Sequence, residues 1–304
     1  MNFTGLFEMQ ATLFLVMLLG LLLRRCGLVD EGGKRLISDL VINVTLPASI
    51  VKSFEQEMTH EILMSCMAVI IAAVLIQIGC FLLGLVLYRG YGEKRKKVLQ
   101  YVTICSNAGV LGNAIAEGIF GETGLLYASI YVVPQRIFMW SVGLTYFTEA
   151  PDRKTLVKKV ATHPCIVAVV IGFMIMAFQV HLPGFLDQTI RTVANANTFL
   201  AMMLVGTILA QVNFWEMFEK STIYYSFIRL AVIPFLVFAG CRLAGLDSLI
   251  TGVSVVLSGM PAASSTAALA SRYNKDEIFA TKCVVLTTIL SMVTVPVWCL
   301  LLAV

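Results

Sequence analysis

Two short stretches of small and polar residues interrupt long apolar runs. The first reads Ser106-Asn107-Ala108-Gly109-Val110-Leu111-Gly112-Asn113, the second Ser258-Gly259-Met260-Pro261-Ala262-Ala263-Ser264-Ser265-Thr266. Glycine lowers helix propensity, and proline removes an amide donor and clashes with the preceding turn. Gly109, Gly112 and Pro261 therefore mark places where a helix stops in mid-run. The freed N–H groups and positive helix ends favour an anion. Asn107 and Asn113 add donors and acceptors, and Ser264, Ser265 and Thr266 add hydroxyls. With Met260 and Ala262 these residues make up a candidate binding site. The competing reading is close helix packing through small residues. The stretches lie 153 residues apart, so Ala108 falls opposite Pro261. A hydrophobic segment broken at corresponding points in two halves points to the binding site of a transporter.

Charged residues inside apolar runs are the next candidates, because embedded charges are costly and usually functional. Arg136, Arg229 and Lys282 are the cations. Each is a possible charge partner for a carboxylate ligand. Arg136 and Arg229 could equally hold backbone carbonyls, and Lys282 could snorkel to the membrane surface. Glu117 and Asp39 lie near the ends of their runs, where they are either wet interfacial groups or carriers of a coupling proton. Asn43, Asn195 and Asn197 face a cavity or bond across helices, and Pro47 predicts a kink just beyond Asn43.

The elements that must position these residues are membrane spans. Of 304 residues, 59% are hydrophobic and 13% charged, with a mean hydropathy of +0.88. Soluble domains carry about 25% charged residues. The long helical runs exclude the short alternating strands of an outer-membrane barrel. Ten spans are predicted, at 7–23, 35–54, 62–88, 98–120, 124–147, 164–180, 185–210, 222–243, 246–271 and 278–303. The first lacks a basic n-region and a clear cleavage site, and reads as a retained span. Basic clusters interleaved with aromatics are absent, which argues against a nucleic-acid partner. The eight cysteines form no Cys-x-x-Cys pair and the three histidines are scattered, so neither a metal site, a disulfide framework nor any other cofactor is expected.

Shifting the chain by 153 residues lays the first five spans on the second five, and Asn43 lands between Asn195 and Asn197. Two odd-numbered repeats in series enter the membrane from opposite sides. The predicted architecture is thus all-α: a first five-helix repeat (1–149), a cytoplasmic connector (150–163) and a second, inverted five-helix repeat (164–304). Lys and Arg in short loops set orientation. Sixteen follow odd-numbered spans and three, Lys52, Arg191 and Arg242, follow even-numbered ones. Both termini are therefore expected outside the cell inner (plasma) membrane.

The stretches Leu46-Pro47-Ala48, Ser106 to Asn113, Gly259-Met260-Pro261-Ala262-Ala263-Ser264-Ser265 and Ala270-Ser271-Arg272-Tyr273-Asn274 resemble the auxin efflux carrier family. That family includes plant auxin exporters and bacterial proteins labelled malate or malonate permeases. The resemblance covers essentially all ten spans. It implies a scaffold of spans one, two, six and seven and a transport domain of spans three to five and eight to ten. Broken fourth and ninth helices cross in the transport domain, an organic anion binds at the crossover, and motion is elevator-like. By position, Asn107 and Pro261 are the crossover polar residue and proline. Plant members have Asn-Pro at the first break, whereas Asn107 is followed by Ala108 here. The resemblance also implies a homodimer through the scaffold.

The expected function is secondary transport of a small mono- or dicarboxylate, possible coupling ion H+, in a lipid bilayer. The chain lacks Gly-x-x-x-x-Gly-Lys-Ser/Thr, which excludes direct drive by ATP within it. Sodium coupling like that of the bile-acid symporters is the alternative. A channel or an intramembrane enzyme is a more distant one, since His-Glu-x-x-His and Gly-x-Gly-Asp are both missing.

Overall fold

The structure is a computed structural model that describes residues 3–55, 59–143, 145–147, 153–180, 182–210, 217–263, 265–273 and 275–302. Its helices are α1 (Phe3–Arg25), α2 (Glu31–Leu40), α3 (Leu46–Ser53), α4 (His60–Leu87), α5 (Glu93–Ile104), α6 (Leu111–Phe138), α7 (Arg153–Ala161), α8 (Pro164–Ala177), α9 (Gly184–Leu209), α10 (Lys220–Phe227), α11 (Ile233–Leu243), α12 (Ser248–Ser258), α13 (Ser265–Arg272) and α14 (Glu277–Leu301). Among the described residues five helical stretches are long and apolar enough to cross a membrane: Glu31–Ser53, His60–Leu87, Gly184–Leu209, Lys220–Leu243 and Glu277–Leu301. Pro164–Ala177 and Ser248–Ser258 are shorter apolar helices. An all-helical membrane protein is what the composition dictates, because backbone polar groups in lipid must be satisfied within each segment.

Both predicted interruptions are present. α5 stops at Ile104 and α6 starts at Leu111, with one 3₁₀ turn, Asn107–Gly109, between them. α12 stops at Ser258 and α13 starts at Ser265. α6 also turns a corner at Gly121, whose φ of 68° and ψ of −158° are open to glycine alone. The corner falls between the predicted fourth and fifth spans.

Among the described residues three π-helical turns were not foreseen: Val41–Thr45, Met139–Gly143 and Ile228–Val232. Two of them end two residues before a proline. The amide of Leu46, before Pro47, donates to Val41 five residues back, and that of Ile233, before Pro234, donates to Ile228. One extra residue in the turn lets the helix continue past a residue with no amide hydrogen. The expected kink at Pro47 is therefore taken up one turn earlier.

The chain folds into two compact units. The first comprises Met1–Met67, Val110–Ile130 and Ala161–Val212. Within it α1 lies along α9, and α3 packs on α8 and α9. A methyl group on Gly20 would collide with the Met203 carbonyl, and one on Gly206 with the Met17 carbonyl. This is the close approach that small residues permit between membrane helices. Thr45 Oγ1 donates to Asn197 Oδ1 (3.2 Å) and Ser49 Oγ to the Ala194 carbonyl (3.1 Å), both buried.

The second unit comprises Ala68–Gly109, Tyr131–Val160 and Asn213–Val304. α5, α13 and α14 pack together, and Tyr101, Ile104, Cys105, Tyr225, Ala262, Phe279 and Cys283 form a common core. At one end Arg95 pairs with Glu219 and with Asp276 (3.0 Å), and its guanidinium lies 4.9 Å from the centre of the Phe279 ring. Asp276 also caps α14 by accepting from the Phe279 amide (3.0 Å).

Candidate functional site

The two interruptions meet inside the second unit. There the chain runs extended and antiparallel for a few residues, with Ser106 paired to Ala262. The Asn107 amide donates to the Pro261 carbonyl (2.8 Å), and the Ala263 amide donates to the Cys105 carbonyl (3.1 Å). Pro261 has no amide of its own to place, which suits a segment where only its carbonyl is engaged. The Ala262 amide is held by Thr287 Oγ1 of α14 (3.1 Å). Each break thus supplies backbone partners for the other, the requirement for irregular backbone at membrane depth.

A helix end leaves its last carbonyls without partners, and here side chains take them. Arg229, only 3% exposed, donates from Nε to the Met260 carbonyl (2.8 Å) and from Nη1 to the Thr103 carbonyl (2.9 Å). One guanidinium therefore closes the carbonyl ends of both α5 and α12, where the helix dipoles favour a cation. Tyr225 Oη donates to the Val102 carbonyl (2.9 Å). Gln135 Nε2 donates to the Ser106 carbonyl (2.8 Å) and approaches Ser106 Oγ (3.1 Å). Arg229 sits in the π-helical turn 228–232, whose Leu230 carbonyl receives Trp298 Nε1 (2.8 Å).

Arg136 is placed differently. Its side chain is half-buried and packs on the backbone of Gly109, where a Cβ would lie 2.5 Å from Nη2 and 3.5 Å from Val132 Cγ1. Nη1 makes only a 3.6 Å contact with Met139 Sδ. Nε is enclosed and has no hydrogen-bond partner. Among the described residues Arg136 forms no ion pair. The Asn107 side chain, in the same turn as Gly109, is half-buried and makes no hydrogen bond to a described residue.

The other expected site residues fall into three groups. Met260, Pro261 and Ala262 are buried in the crossed segments. Ser264 lies outside the described residues, as does the side chain of Ser265; Thr266 turns its hydroxyl back to the Ala263 carbonyl (2.6 Å). Gly112, Asn113, Glu117 and Asn43 belong to the first unit. Gly112 and Asn113 are buried in the opening turn of α6. Asn113 Nδ2 reaches Ser129 Oγ at 3.5 Å, and its Oδ1 has no partner. Glu117 is half-buried against Thr198 (3.4 Å). Asn43 is exposed and donates to the Asp39 carbonyl of its own helix (2.9 Å). Lys282, in the second unit, is partly exposed and lies 3.9 Å from Glu219 near the start of α14.

Gln135 and Thr287 were not on the list of candidates, yet each holds a broken segment. Gln135 was readable as an amide side chain within an apolar run beside Arg136. Thr287 carried no signal, since a threonine facing inward looks like any small helical residue. Among the described residues no group of three or more His, Cys, Asp and Glu gathers as a metal site would.

Five apolar stretches long enough to span, with further apolar helices interrupted where their ends meet, describe a multi-pass membrane protein. The chain belongs to the membrane transport protein family, that of the auxin efflux carriers, whose model matches residues 6–163 and 152–299. An uncharacterized transporter of Methanocaldococcus jannaschii is 24% identical over 93% of this chain and 94% of its own. One from Methanothermobacter thermautotrophicus is 25% identical over 99% and 100%. The uncharacterized transporter YfdV of Escherichia coli is 25% identical over 94% of each.

Proposed function

We propose that the protein is a secondary transporter of a small organic anion, a mono- or dicarboxylate, bound at the crossed segments of the second unit. One observation carries this reading. The carbonyl ends of the broken helices are taken up by Arg229, Tyr225 and Gln135, whereas the Asn107 side chain makes no hydrogen bond to a described residue and Arg136 Nε has no partner. Backbone acceptors that are closed beside a cation without an acidic partner suit an anion, although Gln135 Oε1 also stays unpartnered.

The finer architecture belongs to the same proposal. Ten spans form two inverted five-helix repeats, with both termini outside the plasma membrane. Spans one, two, six and seven act as scaffold, and spans three to five and eight to ten carry the substrate in an elevator-like exchange of access. The grouping of α1–α3 with α8 and α9 in one compact unit, and of α5 with α10–α14 in the other, supports this division. Residues Val110–Ile130 group with the first unit, so the division we propose cuts α6 elsewhere. A homodimer through the scaffold and coupling to protons, with Glu117 as the carrier, complete the proposal.

Uptake into proteoliposomes tests the site. Asn107→Ala is expected to abolish saturable uptake of labelled carboxylates while leaving helicity and elution volume unchanged. Undiminished uptake by that variant would remove Asn107 from the site. Sodium coupling is a second reading, favoured by one observation: Asn113 Oδ1 is a buried acceptor with no donor, as a cation ligand would be before the ion arrives. A transport rate independent of sodium excludes it.

A further inference from the structure

We infer that α7, the helix of the connector, lies along the headgroup layer of the bilayer and docks on anionic phospholipids. Its apolar side faces the acyl chains and its lysines reach the lipid phosphates. Such docking is independent of what the crossed segments bind.

The segment reads Arg153-Lys154-Thr155-Leu156-Val157-Lys158-Lys159-Val160-Ala161. In the sequence Leu156, Val157, Val160 and Ala161 recur at the intervals of one helix face. Lys154, Thr155, Lys158 and Lys159 recur at those of the opposite face. A helix of this pattern inside a water-soluble fold buries its apolar side. Here Val157 is 64% exposed, and Ala161, one turn further on, is exposed as well. Both apolar side chains described on α7 are thus uncovered by protein. Lys154 and Lys158, also one turn apart, are exposed too.

Position and charge name what covers this face. Only Thr162 and His163 separate α7 from α8, an apolar helix that begins at Pro164. A two-residue link reaches about 10 Å at most, which keeps the end of α7 beside the headgroups. α7 carries four cations, Arg153, Lys154, Lys158 and Lys159, and the sequence has no Asp or Glu from residue 153 to residue 186; the nearest acid upstream is Asp152. The basic run that opens α5 differs. There Lys96 and Lys97 lie 3.9 Å and 3.6 Å from Glu93 of their own helix, and Arg95 pairs with Glu219 and Asp276. That run brings its own acids, and α7 has none. Phosphates supply the missing charge, while lysine stems lie along the apolar layer with their ammonium groups in the headgroups. In the orientation we propose this is the cytoplasmic leaflet, where anionic lipids give a negative surface. The chain also passes from the second unit to the first between Val160 and Ala161, so docking holds that crossing at the membrane surface.

Spin labelling of the full chain in nanodiscs tests this. A nitroxide is attached at Val157→Cys or at Lys154→Cys, with the exposed Cys26 removed by Cys26→Ser. Each protein is placed in phosphatidylcholine alone and in equal parts of phosphatidylcholine and phosphatidylglycerol. Accessibility to oxygen and to a water-soluble nickel chelate gives the depth of the label. In the mixed lipid the Val157 label is expected below the phosphates and the Lys154 label on the water side. With the label at Val157, each of Lys154→Gln, Lys158→Gln and Lys159→Gln should lower the ratio of immersed to aqueous label about fivefold. Raised salt should act in the same direction. An unchanged elution volume in these variants separates loss of docking from loss of fold. A Val157 label that stays aqueous in both lipids would overturn the inference. So would immersion that is equal in the two lipids and unmoved by the glutamine variants.

Discussion

Arg229 and Arg136 flank the same crossed segments and have opposite surroundings. Arg229 is buried, and two backbone carbonyls, one in α5 and one just beyond α12, accept from its Nε and Nη1. Arg136 is half-buried and meets a glycine, a thioether and nothing acidic. The first arrangement spends a charge on holding backbone together, the second keeps one in reserve. An embedded arginine therefore says nothing about binding until its partners are known, and helix-end carbonyls are enough to turn it into a structural part.

This contrast can be broken most sharply at Arg229. Arg229→Ala removes two charge-assisted hydrogen bonds, each worth about 1.5–3 kcal/mol, and leaves two buried carbonyls unpaired. A loss of about 3 kcal/mol or more is expected, read as a large fall in the unfolding midpoint in detergent and as poor yield of monodisperse protein. Normal stability in this variant would put the two arginines in the same class. Arg136→Gln should do the reverse: the midpoint stays within about 1 kcal/mol of the wild type because little is bonded to the side chain, while uptake at low substrate concentration collapses. Thr287→Val sharpens the picture at the second break. It orphans the Ala262 amide at a cost of about 1–3 kcal/mol, and differential scanning fluorimetry should place it between the two arginine variants. Lys282→Gln is expected to be the mildest. Its 3.9 Å contact with Glu219 is partly exposed, and such pairs contribute about 0–1 kcal/mol; uptake and midpoint should both be close to the wild type.

Much of this contrast was legible in the sequence, and the illegible part has a physical reason. Glycine and proline punctuate helices by their backbone chemistry, so the breaks near Gly109 and Pro261 could be placed within a few residues. That Arg136 and Arg229 lay in apolar runs was equally plain. Which of them would bond to carbonyls was not, because that depends on a π-helical turn at 228–232 that re-aims the side chain, and the residues of that turn, Ile-Arg-Leu-Ala-Val, have no distinguishing composition. The same holds for Gln135 and Thr287, whose partners are backbone atoms 25 or more residues away in the chain. Asn43, read from the sequence as facing a cavity or bonding across helices, donates to the Asp39 carbonyl of its own helix.

The double grip of Arg229 has a mechanical side. Since one planar, rigid group is bonded to the ends of α5 and α12 together, the two ends cannot separate without breaking charge-assisted bonds in a nonpolar surrounding. In the transport cycle we propose, both ends move as one piece, without hinging between them. Paired spin labels on the outer surfaces of α5 and α12 should therefore report one narrow distance distribution, the same with and without ligand, even while the protein turns over.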